Sequence, residues 1–540
     1  MTSLRIGLAQ FHPVMGQFEA NLASIGQLVQ EAKSQGCDIV CFGELAISGY
    51  PPQDLLFNTL FVERSIEATN RLTEVASGIV VVIGGVSFGE EDKAIHNSAY
   101  AFGNSNLLGI SHKSKLPNYE VFDEKRYFTP GPACVIDIKG HKAGLIVCED
   151  VWDGDEVCQS LSDQGAELLV VVNASPYSLD KSRERSEVLD KRMAEVDLGI
   201  AYVNIVGGQD GLVFDGSSHA RGPQFEMISD VGQFEEGLAV WDWNAEPTQT
   251  KPNNPVGLPQ NEAVFAASVR GLRDYVNDNG FDQVGVALSG GIDSALTTYI
   301  AAKALGGENI HAVTMPSVYS SDHSISDSVE LCNNLGVEIY ELGIETIHSQ
   351  YQQTLSESLD ASIRPITDEN LQSRIRGVLM MALSNQQDWL VLATGNKTEA
   401  AVGYSTLYGD TVGAYGVIRD LWKDQVYELS NWINSNFEEQ IPDHIISKAP
   451  SAELRSDQTD EETLGNYDTV DAILKLYIEQ RQTVTEIASQ GYDLDHVKRL
   501  VSLVDRAEYK RRQSPIGTRI SKMSFGVDRR VPITNSFKPL

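Results

Sequence analysis

Cysteine pairs at metal-binding or redox spacing are missing from this sequence. Its six cysteines stand at positions 37, 41, 134, 148, 158 and 332 with no C-x-x-C among them. That argues against a zinc site, a thioredoxin-type centre and a disulfide framework, and for free thiols in a reducing compartment. Cationic charge is also scarce: 42 Lys and Arg stand against 75 Asp and Glu, a formal net charge of −33. Such a surface repels nucleic acid at long range, so any phosphate must be met by local donors inside a pocket. No apolar run approaches the length of a membrane span. The opening MTSLRIGLAQFHP lacks the basic-then-apolar layout of a signal peptide. The expectation is a cytoplasmic protein with no nucleic-acid or membrane partner.

A chain of 540 residues is too long for one core, and two or three domains are expected. The stretch AEPTQTKPNNPVGLPQN, residues 245–261, carries four prolines and no apolar periodicity, which reads as a linker. It divides the chain into residues 1–244 and 262–540. In the first part, short apolar runs such as LRIGLAQF, CDIVCF, GIVVVIGGVSF, HKAGLIVC, AELLVVVNAS and AYVNIVGG read as strands. Helical segments at Asn21–Gln35 and Lys181–Val196 lie between them, and the pattern predicts a layered α/β sandwich. In the second part, VGVAL, IHAVTM, VEIYEL and WLVLAT alternate with longer helical stretches. That alternation predicts a parallel, doubly wound sheet. Beyond Asp460 the chain reads as mainly helical up to a basic tail, YKRRQSPIGTRISKMSFGVDRR, and no internal repeat is visible.

Three segments of the first part place chemistry beside strands. Cys148 ends HKAGLIVC, Glu44 follows DIVCFG, and Lys113 lies in SHKSKLPNYEVFDEKRYF. A carboxylate can take a thiol proton, and an ammonium can stabilise the oxyanion formed when thiolate attacks an amide. These segments resemble the nitrilase, or carbon–nitrogen hydrolase, superfamily over roughly the first 240 residues. The resemblance implies an α-β-β-α sandwich with Glu44 as general base, Lys113 as oxyanion stabiliser and Cys148 as nucleophile. It further implies that Tyr119, Ser175 and Lys181 hold glutamine, and that either Glu120 or Glu124 is a second acid of the site.

In the second part the stretch VALSGGIDSALT, Val286–Thr297, has the composition of a phosphate cradle. Two glycines permit a tight turn and a close approach to an anion, and the helix start offers N–H donors. The pattern is neither G-x-x-x-x-G-K-[ST] nor G-x-G-x-x-G. No lysine points toward a terminal phosphate, whereas Asp293 stands where an acid can hold a metal ion. SGGIDS resembles the pyrophosphate-binding loop of the N-type ATP pyrophosphatases, which transfer AMP and release pyrophosphate. The stretches TDENLQSRIRG, LATGNKTEAAVGYSTLYGD, VIRDLWKDQVYEL, KAPSAELRSDQTDE and YKRRQSPIG are similar to the NAD synthetases among them.

Taken together, the chain resembles the bacterial glutamine-dependent NAD synthetases along nearly its whole length. The resemblance implies a ligase that amidates deamido-NAD through an adenylate, using ATP, Mg²⁺ and ammonia cut from glutamine, carried between sites in an enclosed passage. It implies ATP contacts at Ala287, Leu288, Ser289, Gly290, Gly291, Ile292, Asp293, Ser294, Thr394 and Lys423. Deamido-NAD contacts fall on Asn370, Arg374, Glu399 and Lys510, and the metal on Asp293 and Glu399. A homodimer or larger homo-oligomer through the second domain is implied as well. Two alternatives stand beside this reading: an amidotransferase adenylating another acceptor, and an ammonia-using synthetase with a non-catalytic first domain.

Overall fold

The computed structural model describes residues 3–89, 94–153, 155–222, 227–243, 257–359, 361–450, 453–455, 464–526 and 528–537. The chain divides into two compact units, Met1–Ala263 and Val264–Leu540. Of the predicted linker, residues 245–256 lie outside the described residues, and residues 260–261 already belong to a helix, Gln260–Asp278.

The first unit opens with β1 (Leu4–Gln10), β2 (Ile39–Cys41), β3 (Val80–Phe88), β4 (Ile95–Gly103) and β5 (Asn106–His112). It continues with β6 (Cys134–Ile138), β7 (His141–Val147), β8 (Leu168–Asn173) and β9 (Gly199–Asn204). A hairpin of β10 (Val206–Gln209) and β11 (Leu212–Asp215) leads to β12 (His219–Arg221), β13 (Met227–Asp230) and β14 (Gly237–Trp243). AYVNIVGG, read as one strand, is therefore broken at Ile205 into β9 and β10.

Two six-stranded sheets result, ordered β14-β1-β2-β3-β4-β5 and β13-β12-β9-β8-β7-β6. Each has a parallel centre, β1-β2-β3 in one and β7-β8-β9 in the other. One antiparallel strand flanks each centre on one side, β14 or β6. Two antiparallel strands flank it on the other, β4-β5 or β12-β13. The sheets thus repeat one topology although no repeat is visible in the sequence, because a sheet requires an apolar pattern and tolerates different residues within it.

The inner faces pack on each other. Ile6, Leu8 and Val82 of one sheet share a core with Leu145, Val170 and Val203 of the other. The outer face of the first sheet is covered by Ile25, Val29 and Ala32 of the helix Phe18–Ser34. The outer face of the second is covered by Leu189 and Met193 of the helix Lys181–Val196, whose bounds match the sequence reading. The result is the expected α-β-β-α sandwich.

The second unit contains β15 (Val284–Ala287), β16 (Ile310–Thr314), β17 (Glu338–Glu341), β18 (Leu390–Ala393) and β19 (Tyr415–Gly416). Every pairing is parallel, in the order β17-β16-β15-β18-β19. The chain winds outward from β15 in one direction and returns to the other side with β18. The crevice at the strand C-termini between β15 and β18 is therefore a topological switch point, the place where open α/β sheets bind ligands.

Helices cover this sheet. Ile375 and Met380 of Pro365–Gln387 pack on Val313, Trp389 and Val391. Further along, the helices Tyr467–Ile478, Val484–Ser489 and Leu494–Arg506 bury an apolar cluster with Ala401, Val402 and Trp422. The basic segment after them is not a solvated tail. Arg511 is buried and donates to the carbonyls of Ala401 (2.7 Å) and Val504 (2.6 Å). Gly416 N–H donates to Ile516 O at 2.7 Å, which extends the sheet edge.

One glycine in the first unit decides where a functional strand end can lie. A Cβ on Gly84 of β3 would stand 2.4 Å from Glu44 Cα and 2.5 Å from Leu45 N. Gly84→Ala is expected to destabilise the chain by ~1–3 kcal/mol through overpacking, read as a lower midpoint in urea unfolding. An unchanged midpoint would show that the segment after β2 gives way freely.

Candidate active sites

Three strand ends of the first unit converge on one buried cluster. The chain leaves β2 through Phe42 and Gly43, and Glu44 N–H donates to Asn173 O at the end of β8 at 3.0 Å. Glu44 is fully buried. Its Oε1 accepts from Lys113 Nζ at 2.7 Å and from Asn97 Nδ2 at 2.6 Å, and its Oε2 accepts from Ala174 N at 2.9 Å. Lys113, just past β5, also donates to Glu124 Oε1 at 2.8 Å. Glu124 Oε1 accepts in addition from Tyr50 OH at 2.8 Å.

Cys148 sits at the turn from β7 into the short helix Glu149–Trp152, with φ 38° and ψ −94°. A left-handed φ on a residue with a Cβ is strained and persists only where the surroundings impose it. Here Cys148 N–H donates to Val172 O and its own carbonyl accepts from Val151 N, both at 3.0 Å. The turn holds the thiol within electrostatic reach of both Glu44 and Lys113.

Electrostatics explain why the cluster is built this way. Burial alone would lower the Lys113 pKa, but Glu124 and Glu44 overcome it, and the net shift is well upward. The lysine is therefore a permanent cation. Burial pushes the Cys148 thiol well above its ordinary value, and the Glu44 carboxylate adds to the rise. A thiol so placed needs a base to become a nucleophile. Burial raises Glu124 to about 7, with Lys113 opposing and Glu44 reinforcing.

The question left open between two acids is resolved by geometry. Glu124 is inside the cluster, whereas Glu120 is exposed. Around the same thiol, the half-exposed Tyr119 donates its hydroxyl to both Glu149 oxygens at 2.9 Å. Lys181 Nζ lies 3.9 Å from the Trp152 ring centre, and burial lowers its pKa. Ser175 is buried, and its N–H donates to Asn204 Oδ1 at 2.8 Å. Sequence reading missed Asn97, Tyr50 and Glu149. Asn97 lies outside the segments quoted for the triad, Tyr50 follows Glu44 by six positions with nothing local to mark it, and Glu149 was visible only as the neighbour of Cys148.

In the second unit a cavity of about 650 Å³ opens at the switch point between β15 and β18. Ala287, Leu288, Ser289, Gly291, Ile292, Asp293 and Ser294 line part of it, together with Thr394 and Lys423. Gly290 adopts φ 77°, and a Cβ there would stand 2.5 Å from Ser324 O, so only glycine closes the turn. Ser294 Oγ donates to Gly291 O at 3.0 Å and lies 3.1 Å from Ser289 Oγ, which gives the loop its shape. The helix Ile292–Leu305 begins within this lining without a side-chain cap, and a helix start of this kind offers N–H donors to an anion.

Asp293 pairs with Lys423 through Oδ2 and accepts from Asn396 Nδ2 at 2.9 Å through Oδ1. Asn396 also caps the helix Lys397–Val402, in which Glu399 N–H donates to Asn396 Oδ1 at 2.9 Å. The capping box brings Glu399 next to Asp293. Burial and the Asp293 charge raise the Glu399 pKa well above the ordinary range. Two adjacent carboxylates beside a phosphate-type loop form a donor set suited to a hard divalent cation completed by phosphate oxygens.

Asn370, Glu399 and Lys510 all line the cavity. Asn370 Oδ1 accepts from Thr406 Oγ1 at 2.7 Å, and Lys510 Nζ donates to the carbonyls of Gly403 and Ser405 at 2.7 and 2.6 Å. Arg374 is not part of the lining. It is exposed and donates to Leu407 O at 3.2 Å. Arg376, two positions on, faces the cavity instead, because Pro365–Gln387 is helical and two residues turn the side chain through some 200°. Asn396, Asp410 and Lys448 also line it. They lie inside quoted motifs, but nothing in a linear motif distinguishes its cavity-facing members. Of KAPSAELRSDQTDE, residues 451–452 and 456–461 lie outside the described residues.

The family model described as carbon–nitrogen hydrolase matches residues 5–252, and that described as NAD synthase matches residues 264–514. The glutamine-dependent NAD(+) synthetase of Acinetobacter baylyi is 42% identical over 100% of both chains. That of Thermotoga maritima is 40% identical over the same extent. Among solved structures, the glutamine-dependent NAD+ synthetase of Acinetobacter baumannii in complex with adenosine diphosphate is 38% identical. It covers 99% of each chain with a TM-score of 0.79. A second, from Cytophaga hutchinsonii, shares the fold at a TM-score of 0.85 over 99% and 98% of the two chains. With two such sites in one chain and relatives matched from end to end, the protein belongs to the glutamine-dependent NAD(+) synthetases.

Proposed function

We propose that the chain amidates deamido-NAD to NAD, with nitrogen taken from glutamine in the first unit and the acceptor carboxyl adenylated by ATP in the second. The observation that carries this reading is the coexistence of a buried Glu44–Lys113 pair beside the strained Cys148 turn with an acid-bearing phosphate loop at a switch point.

At the first site, Glu44 takes the thiol proton as Cys148 sulfur bonds to the glutamine amide carbon. The oxyanion that develops lies within reach of the Lys113 cation. Collapse of the tetrahedral intermediate breaks the carbon–nitrogen bond, and the departing nitrogen takes a proton from Glu44 to leave as ammonia. Water, deprotonated by the same carboxylate, then cleaves the thioester to give glutamate and the free thiol. Tyr119, Ser175 and Lys181 hold the glutamine. Glu124 keeps Lys113 in place and is the second acid of the site.

At the second site, ATP rests its phosphates on residues 287–294, with Thr394 and Lys423 as further contacts. Asn370, Glu399 and Lys510 hold deamido-NAD; Arg374, outside the cavity, is a rim contact at most. Asp293 and Glu399 would hold Mg²⁺, which would offset phosphate charge there. The nicotinate carboxylate attacks the α-phosphorus, pyrophosphate leaves, and ammonia then displaces AMP from the adenylate. Lys423 and the N–H groups at the start of Ile292–Leu305 hold the leaving pyrophosphate, so no lysine inside the loop is required. A homodimer through the second unit accompanies this reading. Val378 and Met381 of the helix Pro365–Gln387, 63% and 40% exposed, are available to such a contact. The compartment is the cytoplasm.

Three outcomes test the proposal. Cys148→Ala abolishes NAD formation from glutamine while leaving synthesis from added ammonium salt; retention of glutamine use at the wild-type rate would remove Cys148 from its role. Asp293→Ala eliminates both activities, measured as NAD and AMP release, and ADP as the nucleotide product would overturn the adenylation step. The third concerns Glu124, whose folded pKa of about 7 lies above its ordinary 4.5. Folding then takes up a proton between these values, so this group's contribution to stability falls as pH rises from about 4.5 to about 7. Urea unfolding should show wild type losing stability across that window relative to Glu124→Gln; parallel pH curves would refute the shift.

A further inference from the structure

Glu44 has a partner that no step above employs. Asn97 lies on β4, fully buried, and its Nδ2 donates to Glu44 Oε1 at 2.6 Å. The same residue's carbonyl accepts from Lys113 N–H at 2.8 Å. One residue therefore holds the carboxylate through its side chain and the start of the lysine segment through its backbone. The orientation of the amide is dictated by its surroundings. A flipped Asn97 would bring two acceptor oxygens within 2.6 Å of each other, so the NH₂ group must face the carboxylate. The cost is visible on the other side: Asn97 Oδ1 is buried and unpartnered among the described residues. An unpaired buried carbonyl is unfavourable, and an apolar residue of similar volume would avoid it. Its presence points to the one bond the amide does make.

That bond changes how Glu44 can act. Oε1 already receives the Asn97 amide and the Lys113 ammonium, and Oε2 receives Ala174 N–H. Each donor holds the carboxylate in place, and a base must be so placed before the thiol can pass its proton to it. Asn97 and Lys113 also fix the plane of the carboxylate from two directions. Of these donors, Asn97 is the neutral side chain, so it orients the base without altering the charge of the site.

We propose that Asn97 is a positioning residue of the glutamine-cleaving site, orienting Glu44 toward Cys148 through its side-chain amide. The inference rests on the reading of Glu44 as base and Cys148 as nucleophile. The charged and titratable groups that act on Glu44 are Lys113, Glu124, Cys148, Tyr50 and Asp150. All of them are present in the variants below, so a changed pH profile reports on position 97.

The test uses the full-length chain with glutamine as substrate. Asn97→Leu keeps the volume and removes the donor. It should lower kcat for glutamine hydrolysis by about 10- to 100-fold, the worth of a hydrogen bond to a charged group, with KM for glutamine little changed. Asn97→Asp keeps the shape and places a second carboxyl against Glu44. The acid limb of its kcat–pH profile should move up by about one unit or more, as expected when two carboxyls share a site. Synthesis from ammonium salt, which runs in the other unit, should be unchanged in both, and a cooperative urea transition of the first unit reports that it is folded. Should Asn97→Leu fail to fold, the isosteric Asn97→Asp carries the test alone. A wild-type kcat in Asn97→Leu, or a wild-type pH profile in Asn97→Asp, overturns the proposal. Cys148→Ala run in parallel separates the two readings. If it is inactive with glutamine while Asn97 variants are normal, only this inference fails. If it remains active, the assignment of the nucleophile fails first.

Discussion

Lys113 is the constraint around which the first unit is organised. An ammonium removed from water carries a desolvation cost of several kcal/mol, and it persists inside a protein only against matched carboxylates. Here the match is double, Glu44 on one side and Glu124 on the other, at 2.7 and 2.8 Å. The three groups come from the ends of β2 and β5 and from the turn Glu124–Arg126. Their mutual attraction is therefore also what locks those chain segments together. Loss of any one partner would leave an uncompensated charge, worth roughly 3–5 kcal/mol in other buried pairs. A cluster so costly is poor evidence for stability as its purpose. In the proposed mechanism its value lies in holding a fixed positive charge and the Glu44 carboxylate near the same thiol.

The second unit solves the opposite problem, two like charges. Asp293 and Glu399 are brought together by a capping box and by Asn396, which serves both as helix cap and as donor to Asp293. Lys423 answers part of the negative charge, and the raised Glu399 pKa records that the rest is unanswered within the protein. The loop before them contributes backbone N–H groups, not a side-chain cation, toward phosphate. Placement at the crossing point of β15 and β18 gives this loop a cavity in front of it, since the chain diverges to either side there.

Much of this was legible in the linear sequence. Helix Lys181–Val196 and the strand runs around Val284, Ile310 and Leu390 followed from periodicity, because burial on one face imposes a fixed spacing on apolar residues. The Glu44, Lys113 and Cys148 segments and the SGGIDS loop were legible because each chemistry demands particular residue types next to a strand end. The choice between Glu120 and Glu124 was not. Both acids sit in one short stretch, and only the turn at Glu124–Arg126 sends one of them inward. The place of Arg374 was likewise undecided by motif, since a helix presents residues two apart to nearly opposite sides.

By itself, then, the sequence determined the two-domain plan and the chemical groups available, since these depend on residue type and local pattern, while the class of reaction followed from its resemblance to known families. Tertiary structure alone decided which carboxylate meets Lys113, that Asn97 joins base and lysine, that two sheets repeat one topology, and that Arg376 faces the cavity. Those outcomes rest on contacts between residues distant in the chain, such as Glu44 with Lys113 and Asn97, and Asp293 with Asn396 and Lys423. Local propensity carries no information about such pairs, because their energy appears only when packing removes them together from water.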